Sequence, residues 1–259
     1  MFSRLFGKKD RAAPPSTQGR RVYAIGDVHG RDDLLDALVR EIGRDVAAAP
    51  PPAQPLVIFL GDYVDRGPGS ARVVETVLRL RDENQFEVRA LKGNHEEALL
   101  RFLDEPGFGS TWAEHGGSAT LASYGVRPPA TRTDPVAWAE AAQAFAATLP
   151  AAHLDFYRRL DLMTEVGDYA FVHAGVRPGV ALAHQEERDL LWIRGEFLQA
   201  TGPFGKVIVH GHTPMEEPQV TPHRLGLDTG AYATGVLTAV RLDDEGQRFI
   251  QARINRAAA

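Results

Sequence analysis

Gly61-Asp62-Tyr63-Val64-Asp65-Arg66-Gly67 sets two carboxylates and a guanidinium between glycines, directly after the apolar run of residues 56–60. A carboxylate can hold a cation and an arginine an oxyanion, so the stretch suits chemistry on a phosphoryl group. The same punctuation, a strand-like run ending in ligand-type side chains, recurs along the chain. Residues 21–25 run into Gly26-Asp27-Val28-His29-Gly30, and residues 86–91 into Lys92-Gly93-Asn94-His95-Glu96. Residues 169–172 run into His173-Ala174-Gly175, and residues 206–209 into His210-Gly211-His212-Thr213-Pro214. Asp27 and His29, two apart in extended chain, point the same way and can face one cation. The same holds for His210 and His212, so spacing alone leaves open which of these two would ligate.

Asp27, His29, Asp62, Asn94, His173 and His212 together offer carboxylate, imidazole and amide oxygen without sulfur. Such donors suit Mn, Fe, Zn, Ni or Co, and suit Ca poorly. Six are too many for one open catalytic ion but fit two ions that share a carboxylate. Two-metal sites clamp a phosphoryl group and acidify a water toward hydroxide, which removes the need for a Ser or Cys nucleophile.

The elements that must carry these residues follow from periodicity. Each short apolar run reads as a buried strand. Leu34, Leu35, Leu38, Val39 and Ile42 mark a helix over about 31–46, Val73 to Leu78 a second helix, and residues 96–103 a third. Open α/β sheets place ligands just outside the carboxyl ends of their strands, which is where every one of these clusters falls. Residues 108–164 break the pattern with short helices and loops, and read as a cap-like insertion. Residues 224–227, 236–242 and 248–254 alternate and read as antiparallel strands, which makes the sheet mixed or splits it into two packed sheets. The fold class is α/β with mixed α+β character: residues 20–259 as one domain behind a flexible basic tail at 1–19.

The chain has 259 residues, 44% hydrophobic and 24% charged, as in ordinary globular proteins. A formal net charge of -5 gives no reason to expect a nucleic-acid partner. Absence of cysteine rules out disulfides and thiolate sites and fits a reducing, cytoplasmic setting. No apolar run approaches a membrane span. Phe2, Leu5 and Phe6 beside Arg4, Lys8 and Lys9 leave room only for a weak interfacial contact of the tail.

The five motifs, in this order, resemble those of the phosphoprotein phosphatase family of calcineurin-like metallophosphoesterases. Leu190-Leu191-Trp192-Ile193-Arg194 and Leu227-Asp228-Thr229-Gly230-Ala231 resemble its bacterial and bacteriophage lambda branch. The resemblance implies a central β-sandwich of mixed sheets flanked by helices, with a dimetal site at the strand tips. It implies that Asp27 and His29 hold one metal, that Asp62 bridges, and that Asn94, His173 and His212 complete the second, with manganese the expected ion. His95 becomes the general acid, oriented by Asp65, although its place beside Asn94 also allows a ligand role. Arg66 and Arg194, with Asn94 and His95, become the phosphoryl-binding residues. His115-Gly116-Gly117 receives no role. The expected activity is a phosphomonoesterase acting on phosphorylated Ser or Thr, and also Tyr, side chains of a phosphoprotein or phosphopeptide. The rivals are a symmetrical diadenosine tetraphosphate hydrolase, which the motifs barely separate from it, and an inactive metal-binding scaffold.

Overall fold

A computed structural model describes residues 15–254. Residues 1–14 of the expected tail, with the proposed interfacial contact, lie outside the described residues. The tail's last residues are tied down: Ser16 N donates to Asp168 (2.8 Å), and Thr17 N and Gly19 N donate to Asp244 (2.7 and 2.9 Å).

Three strand–helix units come first: β1 Val22–Ile25, α1 Asp32–Ala48, β2 Leu56–Phe59, α2 Ser70–Asp82, β3 Glu87–Ala90 and α3 Asn94–Asp104. Four helices follow, α4 Gly109–Glu114, α5 Gly117–Ser123, α6 Pro135–Thr148 and α7 Ala151–Arg158. The second half contains β4 Met163–Val166, β5 Tyr169–Val172, α8 Glu187–Trp192, α9 Gly195–Leu198, β6 Val207–His210, β7 Gln219–Val220 and β8 Arg224–Gly226. It closes with α10 Ala231–Thr234, β9 Val236–Asp243 and β10 Gly246–Arg253.

The strands form two five-stranded mixed sheets, ordered β10-β9-β1-β2-β3 and β4-β5-β6-β8-β7. Within them β1, β2 and β3 run parallel to one another, as do β5, β6 and β8. Alternation along β1 shows why its whole run is apolar. Val22 and Ala24 enter the layer between the sheets with Ile58, Phe171, Val209 and Leu225, while Tyr23 and Ile25 face the helices. Burial on both faces leaves no polar position, so the strand reads as a continuous hydrophobic run. Trp112, Leu121, Trp138 and Phe145 from the α4–α6 segment join the same core as α1, α2 and α3. Among the described residues no helix is long and apolar enough to cross a membrane.

The sandwich matches the expected fold, with two local corrections. β8 pairs parallel with β6 and antiparallel only with β7. Three residues with a single inward Leu225 carry too little pattern to give direction. The third helix begins at Asn94, not at 96, because Gly93 is extended and Glu96 reaches back to accept its N–H (2.9 Å). Asn94 and His95 therefore stand on the first helical turn instead of in a loop.

Candidate metal centre

Six strand ends meet at one edge of the sandwich. β1, β2 and β3 deliver Asp27 with His29, Asp62, and Asn94 with His95; β5, β6 and β8 deliver His173, His212 and Asp228. All eight are buried. Asp62 stands at the middle. Its Oδ1 lies 3.4 Å from His173 Nε2, and its Oδ2 lies 3.4 Å from His29 Nε2 and 3.9 Å from His95 Nε2. Two groups of potential ligand atoms share Asp62, one with His29 and His95, the other with His173 and His212, each within 4.8 Å. Asn94 Oδ1 adjoins the second group, 2.9 Å from His173 Nε2 and 2.8 Å from His212 Nδ1. Asp27 belongs to neither group: both its oxygens accept from the backbone N–H of His212 (3.1 and 3.0 Å).

The chemistry of this donor set fits cations. His173 Nδ1 faces Leu60 O (2.8 Å) and His29 Nδ1 faces Val64 O (2.9 Å), so each neutral ring donates there and offers a bare Nε2 to the centre. Burial keeps the rings neutral, pulling His29 down to about 3 and lowering His173 and His212 as well. His173 Nε2 and Asn94 Oδ1 thus meet as two lone-pair donors with no proton between them, an arrangement that a cation completes. His212 Nε2 is buried without a partner among the described residues. The carboxylates point the same way. Burial, with Asp228 and Asp62 nearby, pushes Asp27 well up, and burial pushes Asp228 up to about 6 and Glu96 to about 8. Positive charge in their midst would relieve that crowding.

His95 is held differently from the other rings. Its Nδ1 lies 2.6 Å from Asp65 Oδ2, and Asp65 is fully buried. Burial opposes charge on this imidazole, but Asp62 and Asp65 outweigh it and raise it to about 9. Trp112 Nε1 (2.8 Å) and Thr120 Oγ1 (2.6 Å) donate to Asp65 and fix the carboxylate that fixes the ring. His210 points elsewhere: its ring packs edge-on against Phe197 at 5.0 Å, in the core outside the second sheet. Geometry thus brings His212, not His210, to the cluster.

Arg66 and Arg194 both line a cavity of about 370 Å³ over these residues. Arg66 lies 4.4 Å over the Tyr232 ring, whose edge also meets His29 (5.4 Å). His115-Gly116-Gly117 gains a structural account. Gly116 takes φ +105, its carbonyl accepts from Arg66 N (3.3 Å), and an added Cβ would lie 2.6 Å from that nitrogen. His115 lines the cavity.

Sequence reasoning misses three residues that matter here. Glu96 accepts from Asp62 N (2.9 Å), Tyr63 N (2.8 Å) and Val64 N (3.3 Å), which joins the tip of β2 to the start of α3. Asp228 and Tyr232 are the others. The signal for Asp228 is a looser form of the shared punctuation, since β8 ends at Gly226 and the carboxylate stands two residues on, after Leu227. Among the described residues, five of the seven non-glycine residues with positive φ are His29, Asp62, Asp65, Arg66 and His212. Backbone strain of this kind collects at functional sites.

Residues 20–236 match the calcineurin-like phosphoesterases as a family. The chain belongs to that family. Its members work with a dimetal site, so the protein is a metal-dependent hydrolase of the phosphoesterase class. An asymmetrical bis(5'-nucleosyl)-tetraphosphatase PrpE of Bacillus velezensis is 27% identical over 236 residues, covering 85% of this chain and 88% of the relative. A PrpE of the same description from a Geobacillus species is 29% identical, covering 85% and 90%. A crystal structure described as a candidate diadenosine tetraphosphatase superposes with a TM-score of 0.61 at 20% identity, covering 93% and 97% of the two chains, which supports the fold.

These relatives overturn the expected serine/threonine phosphatase with its phosphoprotein or phosphopeptide substrate. The tetraphosphatase alternative fits them better, and both relatives are named for asymmetrical cleavage. The physical reason for the error is plain. Metal ligands, acid and arginines serve a phosphomonoester and a phosphoanhydride equally, while whatever recognises the rest of the substrate carries no motif.

Proposed function

We propose that the protein hydrolyses dinucleoside tetraphosphates asymmetrically, to a nucleoside triphosphate and a nucleoside monophosphate. The observation that carries this reading is the likeness to asymmetrical tetraphosphatases over 85% of this chain. The cytoplasm is the compartment it assumes.

In this reading Asp27, His29 and Asp62 would hold one divalent cation, and Asp62, Asn94, His173 and His212 a second, manganese being the ion proposed. Bound there, the pair supplies Lewis acidity and a water acidified toward hydroxide. Asp228 adds negative charge beside Asp27. Arg66 and Arg194, which form no ion pair among the described residues, grip the phosphoryl oxygens. Tyr232 steadies the Arg66 guanidinium from one face. Phosphorus gains the water oxygen and loses the bridging oxygen. His95 delivers its Nε2 proton to that departing oxygen, while Asp65 accepts from Nδ1–H and keeps the ring turned.

Diadenosine tetraphosphate incubated with the manganese-loaded protein and resolved by ion-exchange chromatography provides the test. Equal amounts of ATP and AMP are expected. ADP as the sole product, or a higher kcat/KM on phosphopeptides, would overturn the reading.

A further inference from the structure

The cavity continues beyond the ligand cluster, and that extension has its own character. Asn94, Ala98 and Arg101 recur at i, i+4 and i+7, so one face of α3 leads from the cluster along the cavity wall. Beyond the cluster the lining is aromatic or small, apart from the guanidinium groups of Arg101 and Arg194. Asp62 and Asp228, both at the cluster itself, are the carboxylates among the cavity's lining residues. Phe108 carries the Arg101 guanidinium 4.3 Å over its ring. Trp192 is 44% exposed, yet it is not loose. Its Nε1 donates to Glu97 Oε2 at 2.6 Å, next to Ala98, and its ring meets His212 edge-on at 6.2 Å. An exposed indole held in one orientation beside a ligand cluster leaves a large apolar face in water. A planar, uncharged ring would cover it.

We infer that this extension, with Ala98 as its floor and Trp192 and Phe108 as its walls, is a nucleoside subsite that stacks the base of the nucleotide bound at the cluster. The inference rests on the tetraphosphatase reading for its ligand and deepens it. Stacking on aromatic faces tolerates any base, while Thr111 and His115 on the same lining offer hydrogen bonds to its edge or to the ribose. The small side chain of Ala98 leaves the ring its space, and a larger residue there would occupy it.

The test compares AMP with ribose 5-phosphate as competitive inhibitors of p-nitrophenyl phosphate hydrolysis by the manganese-loaded full chain. The two differ only by the base. AMP is expected to inhibit about tenfold more tightly, within what one stacked base contributes. Trp192→Leu and Ala98→Leu should each bring the ratio toward one, and Trp192→Phe should keep most of it. Equal inhibition in the wild type, or a ratio that survives both leucine variants, would overturn the subsite. A tenfold ratio without release of ATP and AMP from diadenosine tetraphosphate sinks the tetraphosphatase reading and leaves the subsite standing. Release of ATP and AMP with a ratio near one does the reverse.

Discussion

His95 and His212 show how one side-chain type divides into two tasks by its surroundings. His212 sits with His173, Asn94 and Asp62 and has its charge suppressed chiefly by burial, whereas His95 is clasped by the carboxylate of Asp65 and inclines to the charged form. A proton held on His95 matters in proportion to how badly the leaving group needs it. His95→Asn should therefore lose about 10²–10⁴-fold in kcat on phenyl phosphate, whose phenol leaves with a pKa near 10, and much less on p-nitrophenyl phosphate. Equal losses on the two esters would argue for a ligand role instead. Asp65→Asn removes a negative charge beside the imidazolium, so His95 should give up its proton at lower pH and the basic limb of kcat/KM should move down. For the second pair, elemental analysis decides. His212→Asn should lower bound metal toward one ion per chain, while His210→Asn should keep two and reduce thermal stability, because its ring fills space beside Phe197.

Among the elements, the α4–α5 turn has a task that its sequence conceals. Gly116 at φ +105 lets the turn descend until its carbonyl meets Arg66 N, and Gly117 lies against the Trp112 ring, where an added Cβ would come within 2.3 Å. Gly116→Ala should cost about 1–3 kcal/mol for the left-handed backbone and displace Arg66, raising KM more than it lowers metal content. Gly107→Ala, where an added Cβ meets nothing within 4 Å, is the control and should change little. Calorimetry and Michaelis kinetics on the two variants check this. The strand tips are legible in the sequence because β1, β2 and β5 are buried on both faces and apolar to the last residue, and β6 is apolar up to His210, so the ligand-type side chains stand out. The clamp on the Asp65 carboxylate by Trp112 and Thr120, and the reach of Glu96 to three backbone N–H groups of the β2 tip, are contacts between residues 32 to 55 apart. No local spacing announces them. Asp228 falls between these cases, since β8 is too short to show its direction and its carboxylate follows Gly226 only after Leu227.

The whole molecule joins three sources into one rigid arrangement. Tips of the first sheet bring Asp27, His29, Asp62 and Asn94, tips of the second bring His173, His212 and Asp228, and the segment around α4 brings Phe108 and Trp112. The layer between the sheets fixes the first two against each other, and the shared core of Phe102, Trp112, Trp138 and Phe145 fixes the third. These shared cores hold α3 and Phe108, on the proposed nucleoside wall, at a set distance from the cluster. Along α3 it runs about 6 Å from Asn94 to Ala98 and about 10 Å to Arg101. In the proposed subsite that span suits a sugar and base attached to the reacting phosphorus itself, and it is too short for an intervening phosphate. Cleavage should consequently be counted from the bound nucleoside, whatever the length of the remaining chain. Diadenosine pentaphosphate should yield AMP and adenosine tetraphosphate, just as the tetraphosphate should yield AMP and ATP. Chromatography of the pentaphosphate products settles it: ADP with ATP would mean that the protein measures from the far end or does not measure at all. Trp192→Leu should loosen the count, releasing a mixture from the pentaphosphate, because a base that no longer stacks no longer sets the register.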